Sequence, residues 1–422
     1  MKLFAQSLTA KRLLPLSLVV LVLFSCQKEM KQNIQKEEIS TSANSKSNRS
    51  YLKRIEVSAL SELYAAINDA DNEGALLLLA PGTYVLSSGY PNGGRIELQK
   101  NMALQGQPGH PESVVIDASA LPATSFNPPL GFPAARTGAI RMGKGNNSIE
   151  WLTVKGNASS QALSVIDTDL IGDSECHIRI EHTIVSGGRI GIDIRNVGLA
   201  SKNRIIEAEL ADNEVVENLV QQGQGIEIQN ANGASGAVIR VTLNSNYVHG
   251  NKIGLRSFNN NANNTKTDFG SITIQSHADR FEENGIGIFL AAALNQGSST
   301  SCNNNSLAFE ANGSSIQNNN GIIPSDVSDA APGGMYVAGS LSANAGEASN
   351  NTLKINLSGC FLTINNGPDI KAYGYLSMPG ILYGINNSTT VTLNGVSANG
   401  IVTAIASVPA DPAGSNVINV VR

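Results

Sequence analysis

Apolar and polar residues alternate over short segments through most of the chain, and each alternating segment closes on Asn or Gly. Alternation over three to six residues with such breaks predicts short strands that bury one face. An eleven-residue unit of this kind recurs. Its copies end at Asn157, Gly188, Asn218, Asn251, Asn284, Asn319 and Asn365, with a degenerate copy ending at Asn399.

The recurring unit predicts stacked β coils. An apolar residue stands three positions before the end of each copy, and most copies are followed by a Gly-apolar-x-apolar step such as Gly191-Ile192-Asp193-Ile194. The segments between copies carry no convincing helix pattern, which excludes ankyrin and tetratricopeptide arrays and disfavours leucine-rich repeats. We therefore expect eight to eleven coils of about 33 residues, with neighbouring coils paired at about 4.8 Å.

Asparagines recur at fixed positions of the unit. Asn213, Asn246 and Asp279 align as one column, and the Asn residues that end the copies align as another. Asn tolerates left-handed backbone and bonds to nearby backbone groups, so both columns are predicted to hold the corners between strands.

The segment before the repeats completes this pattern. Ser58 is predicted to cap a short amphipathic helix through Ala70, with Leu60, Leu63 and Ile67 on one face. Short apolar runs follow, ending in Val114-Val115-Ile116-Asp117. This order resembles the first coils of pectin-lyase-like proteins. The resemblance implies an all-β, right-handed parallel β-helix over residues 51–422, with the helix covering its N-terminal end; the handedness also follows the rule for parallel crossovers.

The first 26 residues have the pattern of an export signal, and Lys28-Glu29 directly after Cys26 is similar to the charged signal that exports some Bacteroidetes lipoproteins to the cell surface. Positive charge, an apolar run from Leu13 to Leu23 and Ser25 precede Cys26, and Leu23-Phe24-Ser25-Cys26 resembles a lipobox. We expect residues 1–25 to be the signal peptide, Cys26 to carry the lipid, and residues 26–50, which are polar, to be a flexible tether. This implies an outer membrane lipoprotein facing the periplasm or the cell surface. The alternative is an ordinary signal peptide with an incidental cysteine.

The composition and charge of the chain disfavour some kinds of core, binding partner and cross-link. Aromatic residues make up 5% of the chain against 41% hydrophobic residues, which suits thin layers of aliphatic side chains. The net charge of −5 and the lack of a basic stripe disfavour nucleic-acid binding. The remaining cysteines, Cys176, Cys302 and Cys360, are spread too widely for a disulfide framework, so free thiols are expected. We expect a monomer.

Outward positions of consecutive coils form a candidate site. The x position of the Gly step reads Asp193, Glu227, Arg256, Phe289 and Tyr336, and the next outward position reads Arg195, Gln229, Phe258 and Ala291. Charged groups bind hydroxyls or uronates and aromatic rings stack on sugars, so this stripe is predicted to bind a polysaccharide. Asp193, Glu227 and Arg256 are the candidate catalytic residues, and Arg195, Phe289 and Tyr336 the candidate substrate-binding residues. The alternative is a solvated ladder of charges that only stabilises the sheet.

A possible calcium site lies one coil earlier. The segment Ile178 to Ser186 resembles the pectate lyase strand that ends in an acid-His pair, here Glu181-His182. Ca²⁺ prefers six to eight oxygen ligands; Glu181 and Glu209 are the candidates, with Asp169 or Asp173 as further ones. The accompanying catalytic arginine segment of that family has no match here.

Two further chemistries were compared. A polygalacturonase-like hydrolase uses an Asp-Asp pair, and the chain has no Asp-Asp dipeptide. The set His249, Lys252, His277 and Arg280 offers a base and cations for β-elimination from a uronate. Two long departures from the repeat, Gln107 to Thr137 and Asn320 to Gly333, are predicted to overhang a groove. The sequence thus favours binding or processing of polysaccharide by a lyase or hydrolase; the alternative is a non-catalytic rod for adhesion, display or glycan binding.

Overall fold

The structure is a computed structural model, and Tyr51–Arg422 forms one compact unit. Its described residues are 51, 53–122, 138–158, 164–168, 174–220, 223–261, 265–297, 300–321, 333–342, 346–363, 365, 367–377, 384–398, 402–409, 411 and 414–422. The predicted signal peptide, Cys26 and the tether lie outside these ranges. So do Asp169, Asp173, residues 123–137 of the first predicted overhanging loop and residues 322–332 of the second.

Three parallel sheets run side by side, and each successive coil adds one strand to each sheet. Every strand pair among the described residues is parallel and joins strands of neighbouring coils, as in Glu175–Glu181 with Ile205–Ala211 and Ile205–Ala211 with Val238–Asn244. This confirms the predicted all-β parallel solenoid.

Sheet A has twelve strands among the described residues. They are β1 Lys53–Val57, β2 Ala75–Leu79, β5 Ala103–Gln105, β8 Asn146–Glu150, β11 Glu175–Glu181, β14 Ile205–Ala211, β17 Val238–Asn244, β20 Ser271–His277, β23 Ser306–Asn312, β26 Thr352–Ser358, β29 Ser388–Asn394 and β32 Val417–Val421.

Sheets B and C have ten strands each in the same part of the chain. Sheet B comprises β3 Gly82–Val85, β6 Val114–Asp117, β9 Thr153–Lys155, β12 Ile184–Ser186, β15 Glu214–Val216, β18 Tyr247–His249, β21 Arg280–Glu282, β24 Ser315–Gln317, β27 Phe361–Thr363 and β30 Ser397–Ala398. Sheet C comprises β4 Ile96–Glu97, β7 Ile140–Arg141, β10 Ser164–Asp167, β13 Ile190–Val197, β16 Gln224–Ala231, β19 Ile253–Asn260, β22 Ile286–Asn295, β25 Gly333–Ser342, β28 Ile370–Ser377 and β31 Val402–Val408.

Helix α1 spans Leu60–Asn68, a shorter range than the predicted Ser58 to Ala70. The N-cap residue is Ala59 and not Ser58 as predicted. Ser58 still interacts with the first turn, since its amide and hydroxyl donate to the Glu62 carboxylate at 2.8 and 2.9 Å. Leu63 and Ile67 are buried against the first coils, as predicted. Short 3₁₀ helices occupy Ala70–Asn72, Pro91–Gly94, Pro111–Ser113 and Leu199–Ser201. No described helix is long and apolar enough to cross a membrane.

The corners contain the predicted asparagine ladders. Asn213 Nδ2 donates to Asn246 Oδ1 at 2.9 Å, and Asn246 Nδ2 donates to Asp279 Oδ1 at 2.8 Å. The second ladder repeats this bond from Asn218 through Asn251, Asn284 and Asn319 to Asn365. A third ladder, which the sequence analysis missed, joins Asn305, Asn351, Asn387 and Asn416 between sheets C and A.

Candidate functional site

The outer face of sheet C holds the candidate stripe in the predicted order. Asp193 pairs with Glu227, and Glu227 pairs with Arg256 on the next strand. The register continues through Phe289 to Tyr336, and the second column aligns Arg195 with Gln229 and Phe258. The stripe also extends in both directions beyond the prediction, to Asp167 and Arg141 at one end and to Lys371 and Tyr373 at the other.

The expected exposure of this stripe is wrong. Asp193, Arg195 and Glu227 have no exposed surface, and Arg256, Phe289 and Tyr336 are at most 6% exposed. Strands β13, β16 and β19 are buried along their whole length, on both faces of the sheet. Alternation along a strand separates the core-facing residues from the others, but it does not show whether the outer face is covered.

The N-terminal half of the stripe is a buried network of paired charges. Arg195 Nη1 lies 2.9 Å from an Asp193 oxygen, and Arg195 Nη2 lies 3.8 Å from Asp167. Asp167 also contacts Arg141 Nε at 3.2 Å. Ser164 Oγ donates to Asp193 at 2.9 Å. Because a buried charge costs several kcal/mol unless it is paired, the close pairing accounts for how these groups are accommodated.

The network continues through Glu227. Arg256 Nη1 lies 3.7 Å from a Glu227 oxygen, and the Gln229 side-chain amide donates to the other oxygen. Counted from Arg141 to Arg256, three carboxylates (Asp167, Asp193 and Glu227) face three guanidinium groups (Arg141, Arg195 and Arg256). This part of the stripe is therefore close to neutral when all six groups are charged.

The C-terminal half of the stripe is aromatic. The Arg256 guanidinium carbon lies 4.7 Å from the centroid of Phe258 and 5.5 Å from that of Phe289. Phe289 stacks on Tyr336 at 5.2 Å with an interplanar angle of 2°, and Tyr336 lies 5.4 Å from Tyr373. These rings belong to a second apolar cluster, separate from the solenoid core, that also includes Ile253, Ile286, Leu294, Leu341 and Leu376.

The candidate calcium ligands surround an arginine. Arg179 forms a close ion pair with Glu181, and Arg179 is the register partner of Glu209 on β14. Burial lowers the pKa of Arg179, but the hydrogen bond to Glu181 and the charges of Glu181, Glu150 and Glu209 outweigh it, so this pKa is raised. Among the described residues, no group of three or more His, Cys, Asp and Glu side chains is arranged to hold a metal ion.

The candidate β-elimination residues do not meet at the stripe. His249 and Arg280 lie on strands of sheet B, and His277 lies on a strand of sheet A. His249 Nε2 is 3.0 Å from Glu214, and its ring stacks on Tyr247 at 3.9 Å. The Arg280 guanidinium carbon lies 4.1 Å from the Tyr247 ring centroid. His249 and Arg280 therefore both interact with other residues of sheet B.

Comparisons with known proteins identify neighbours of the same general architecture. No protein-family model and no curated protein matches the chain. Among solved structures, it is similar to pectate lyase Pel9A, with 15% identity over 84% of this chain and 79% of that one and a TM-score of 0.38. The mannuronan C-5 epimerase AlgE6 A-module of Azotobacter vinelandii shows 16% identity over 83% and 96%, with a TM-score of 0.35. A DFA-IIIase of Arthrobacter chlorophenolicus A6 shows 14% identity over 85% and 99%, with a TM-score of 0.34.

Proposed function

We propose that this protein binds and cleaves a polysaccharide at the stripe on sheet C. The observation that carries this proposal is the stacking of Asp167, Asp193 and Glu227 in register on adjacent coils, next to arginines and an aromatic stack. Adjacent parallel strands lie about 4.8 Å apart, and retaining glycosidases place their two carboxyl groups about 5–5.5 Å apart. The backbone spacing between Asp193 and Glu227 is therefore close to the carboxyl separation that this chemistry uses.

Each residue of the stripe has a role in this proposal. One of Asp193 and Glu227 acts as the nucleophile and the other as the proton donor, as the two carboxyl groups of a retaining glycosidase do. Arg256 neutralises a uronate carboxylate or the charge that develops during cleavage. Arg195 positions Asp193. Phe289 and Tyr336 are at most 4% exposed, so in this proposal their rings contact a sugar only after the residues that cover them move. In the lyase version, Arg256 binds the uronate and one carboxylate abstracts the proton.

Product analysis tests the proposal and separates its two versions. Neutral and uronic polysaccharides are incubated with the protein, and both new reducing ends and the ultraviolet absorbance of unsaturated products are measured. The variants Asp193→Asn and Glu227→Gln are expected to lose about 10²–10⁴-fold of activity. The control Glu207→Gln changes an exposed carboxylate that pairs with Arg240 on sheet A, and it is expected to leave the activity unchanged. Melting temperatures exclude loss through unfolding.

Two results contradict the proposal: no product from any polysaccharide, or unchanged glycan binding in an Arg256→Ala variant. Each assay is run with added calcium and with a chelator, because Glu181 and Glu209 are predicted ligands. The Arg179 guanidinium already interacts with both carboxylates, and this argues against a cation at the same place.

The burial of the stripe favours a second candidate, a non-catalytic rod. Side chains at most 6% exposed contact no ligand in this arrangement, and a paired charge network of this kind then has a structural role. In that case Asp193→Asn lowers the melting temperature, while the wild type produces no cleavage product and glycan binding, if present, maps to another face.

We also propose that the chain acts at the cell envelope as an outer membrane lipoprotein. This proposal rests on the segment Leu23-Phe24-Ser25-Cys26 and the polar residues that follow it. A Cys26→Ser variant is expected to move from the membrane fraction to the soluble fraction, and retention of the variant in the membrane contradicts the lipid anchor.

A further inference from the structure

In the last coil that the structure describes, core-facing side chains are more exposed than in the coil before it. Strands β30, β31 and β32 are the last strands of sheets B, C and A within the described residues. Ala404 and Ala406 point toward the core but are exposed, whereas Ala372, the partner of Ala404 one coil earlier, is fully buried. Val420 is half-buried, whereas its partner Val391 is fully buried.

The two ends of the solenoid differ in how their edge strands are protected. At the N-terminal end, β1 carries Lys53, Arg54 and Glu56, and α1 packs its apolar face on the first coils. Charged residues and covering helices are the usual means of preventing edge-to-edge pairing. At the C-terminal end, β31 (VTAIASV) and β32 (VINVV) contain no charged residue and no proline.

We propose that the C-terminal edge pairs with a second copy of this chain, through two β32 strands that run antiparallel about a two-fold axis. The sequence of β32 is self-complementary in this register. With Asn419 opposite Asn419 of the second copy, Val417 lies opposite Val421 and Ile418 lies opposite Val420. Residues directly opposite each other share a face of an antiparallel pair, so Ile418 and Val420 join the two cores while Asn419 stays on the outer face.

The charges beside β32 are complementary in the same register. Arg422 of one copy comes opposite Asn416 of the other. The Asn416 amide and side chain both donate to the Asp411 carboxylate, at 2.9 and 3.0 Å. Arg422 of one copy thereby lies close to the Asp411 carboxylate of the other, and the two-fold symmetry repeats this contact on the opposite side. Such a two-fold interface closes on itself and yields a dimer rather than a fibre. The proposed dimer differs from the monomer expected from the sequence.

Molar mass in solution tests this dimer. The full chain carrying Cys26→Ser, which removes the lipid site, is measured by light scattering and sedimentation equilibrium. The dimer is expected for this protein. Adding Asn419→Lys sets two ammonium groups opposite each other at the two-fold axis, and the molar mass is expected to fall by half. The matched control Asn356→Lys makes the same change on an exposed outer position of β26, two strands inside the edge, and is expected to remain dimeric.

Three outcomes overturn the proposal: a monomeric parent protein, a dimer that persists in Asn419→Lys, or open-ended polymers. Circular dichroism and melting temperature check that each variant folds. The Asn419→Lys variant is expected to fold, because Asn419 is exposed and its replacement disturbs no buried contact. The result does not depend on the polysaccharide proposal, since the edge lies outside the stripe.

Discussion

Asp279 occupies the end of a corner ladder whose preceding members, Asn213 and Asn246, are uncharged. Its carboxylate accepts hydrogen bonds from the Asn246 amide and side chain, both at 2.8 Å, and from the Ser276 hydroxyl at 2.6 Å. Burial raises the pKa of Asp279 to about 6, although these hydrogen bonds oppose the shift. The ladder therefore contains an acid that is destabilising when ionised.

Replacing Asp279 by Asn is expected to stabilise the protein at neutral pH. Between about pH 4 and pH 6 the folded state keeps the proton that the unfolded state has released, so the free energy of unfolding decreases as the pH rises through this window. A shift of about two pKa units corresponds to about 3 kcal/mol. Asp279→Asn removes this dependence, while its side-chain oxygen still accepts from Asn246.

Urea unfolding of both proteins at pH 4 and pH 7.5 measures this effect. The difference in unfolding free energy is expected to be about 2–3 kcal/mol larger at pH 7.5 than at pH 4. A difference that does not change with pH contradicts the assignment. Glu310→Gln, at an exposed outer position of β23, serves as the control for a carboxyl-to-amide change.

At the scale of the element, each coil depends on contact between a ladder Asn and a strand glycine. A Cβ on Gly254 would lie 2.6 Å from the Gly287 carbonyl oxygen and 2.9 Å from Asn284 Nδ2. The same close approach recurs at Gly191, Gly225, Gly287 and Gly334. The glycine of the Gly-apolar-x-apolar step is therefore required because the second ladder packs directly against the backbone of the sheet C strand at this position.

Removing one ladder member is expected to destabilise several coils at once. The Asn284 side chain accepts from the Asn251 amide and side chain, and it donates to Val248 O and Asn319 Oδ1. Asn284→Ala leaves buried groups without partners, at about 1–3 kcal/mol for each. We expect a loss of about 2–5 kcal/mol in urea unfolding. Asn312→Ala, at an exposed outer position, is expected to change little; equal effects of the two variants would contradict the structural role of the ladder.

Regular spacing decided which ladders could be predicted. Members of the second ladder from Asn218 to Asn284 recur every 33 residues, and the first ladder has the same interval between Asn213 and Asn246. In the third ladder the intervals are 46, 36 and 29 residues. Because the connections between sheets vary in length, most of all the one from Gln317 of sheet B to Gly333 of sheet C, a fixed sequence period does not reveal every ladder whose members stack regularly in space.

At the scale of the whole molecule, alternation in the sequence predicted the coils, the parallel order and the register of the stripe. It did not predict that the stripe is buried, since the covering of an outer face depends on residues distant in sequence. Arg141 and Asp167 were also missed, because they stand before the first clear Gly step at Gly191. The predicted alignment of the stripe was thus correct, whereas its predicted exposure was wrong.

Helix α1 packs on the first coils, whereas none of the described helices packs on the last coil, and this asymmetry predicts a gradient of local stability. In a repeat fold each coil is stabilised mainly by its neighbours, so an end coil without a covering element opens more readily. Strands β2 and β29 make a matched pair, since each lies one strand inside the edge of sheet A. Helix α1 contacts β1 and β4 at the N-terminal end of the solenoid, whereas Leu393 of β29 is only partly buried.

Hydrogen exchange of the Asn419→Lys variant is expected to be at least tenfold faster in β29 than in β2, which corresponds to about 1.4 kcal/mol less protection. The central strands β16 and β19 are expected to exchange slowest, because neighbouring coils flank them on both sides. In the proposed dimer of the parent protein, pairing of the two β32 strands covers the C-terminal coil. The hydrogen-exchange protection of β29 is then expected to rise toward that of β2. Equal exchange of β2 and β29 in the variant would contradict the stabilising role of the helix.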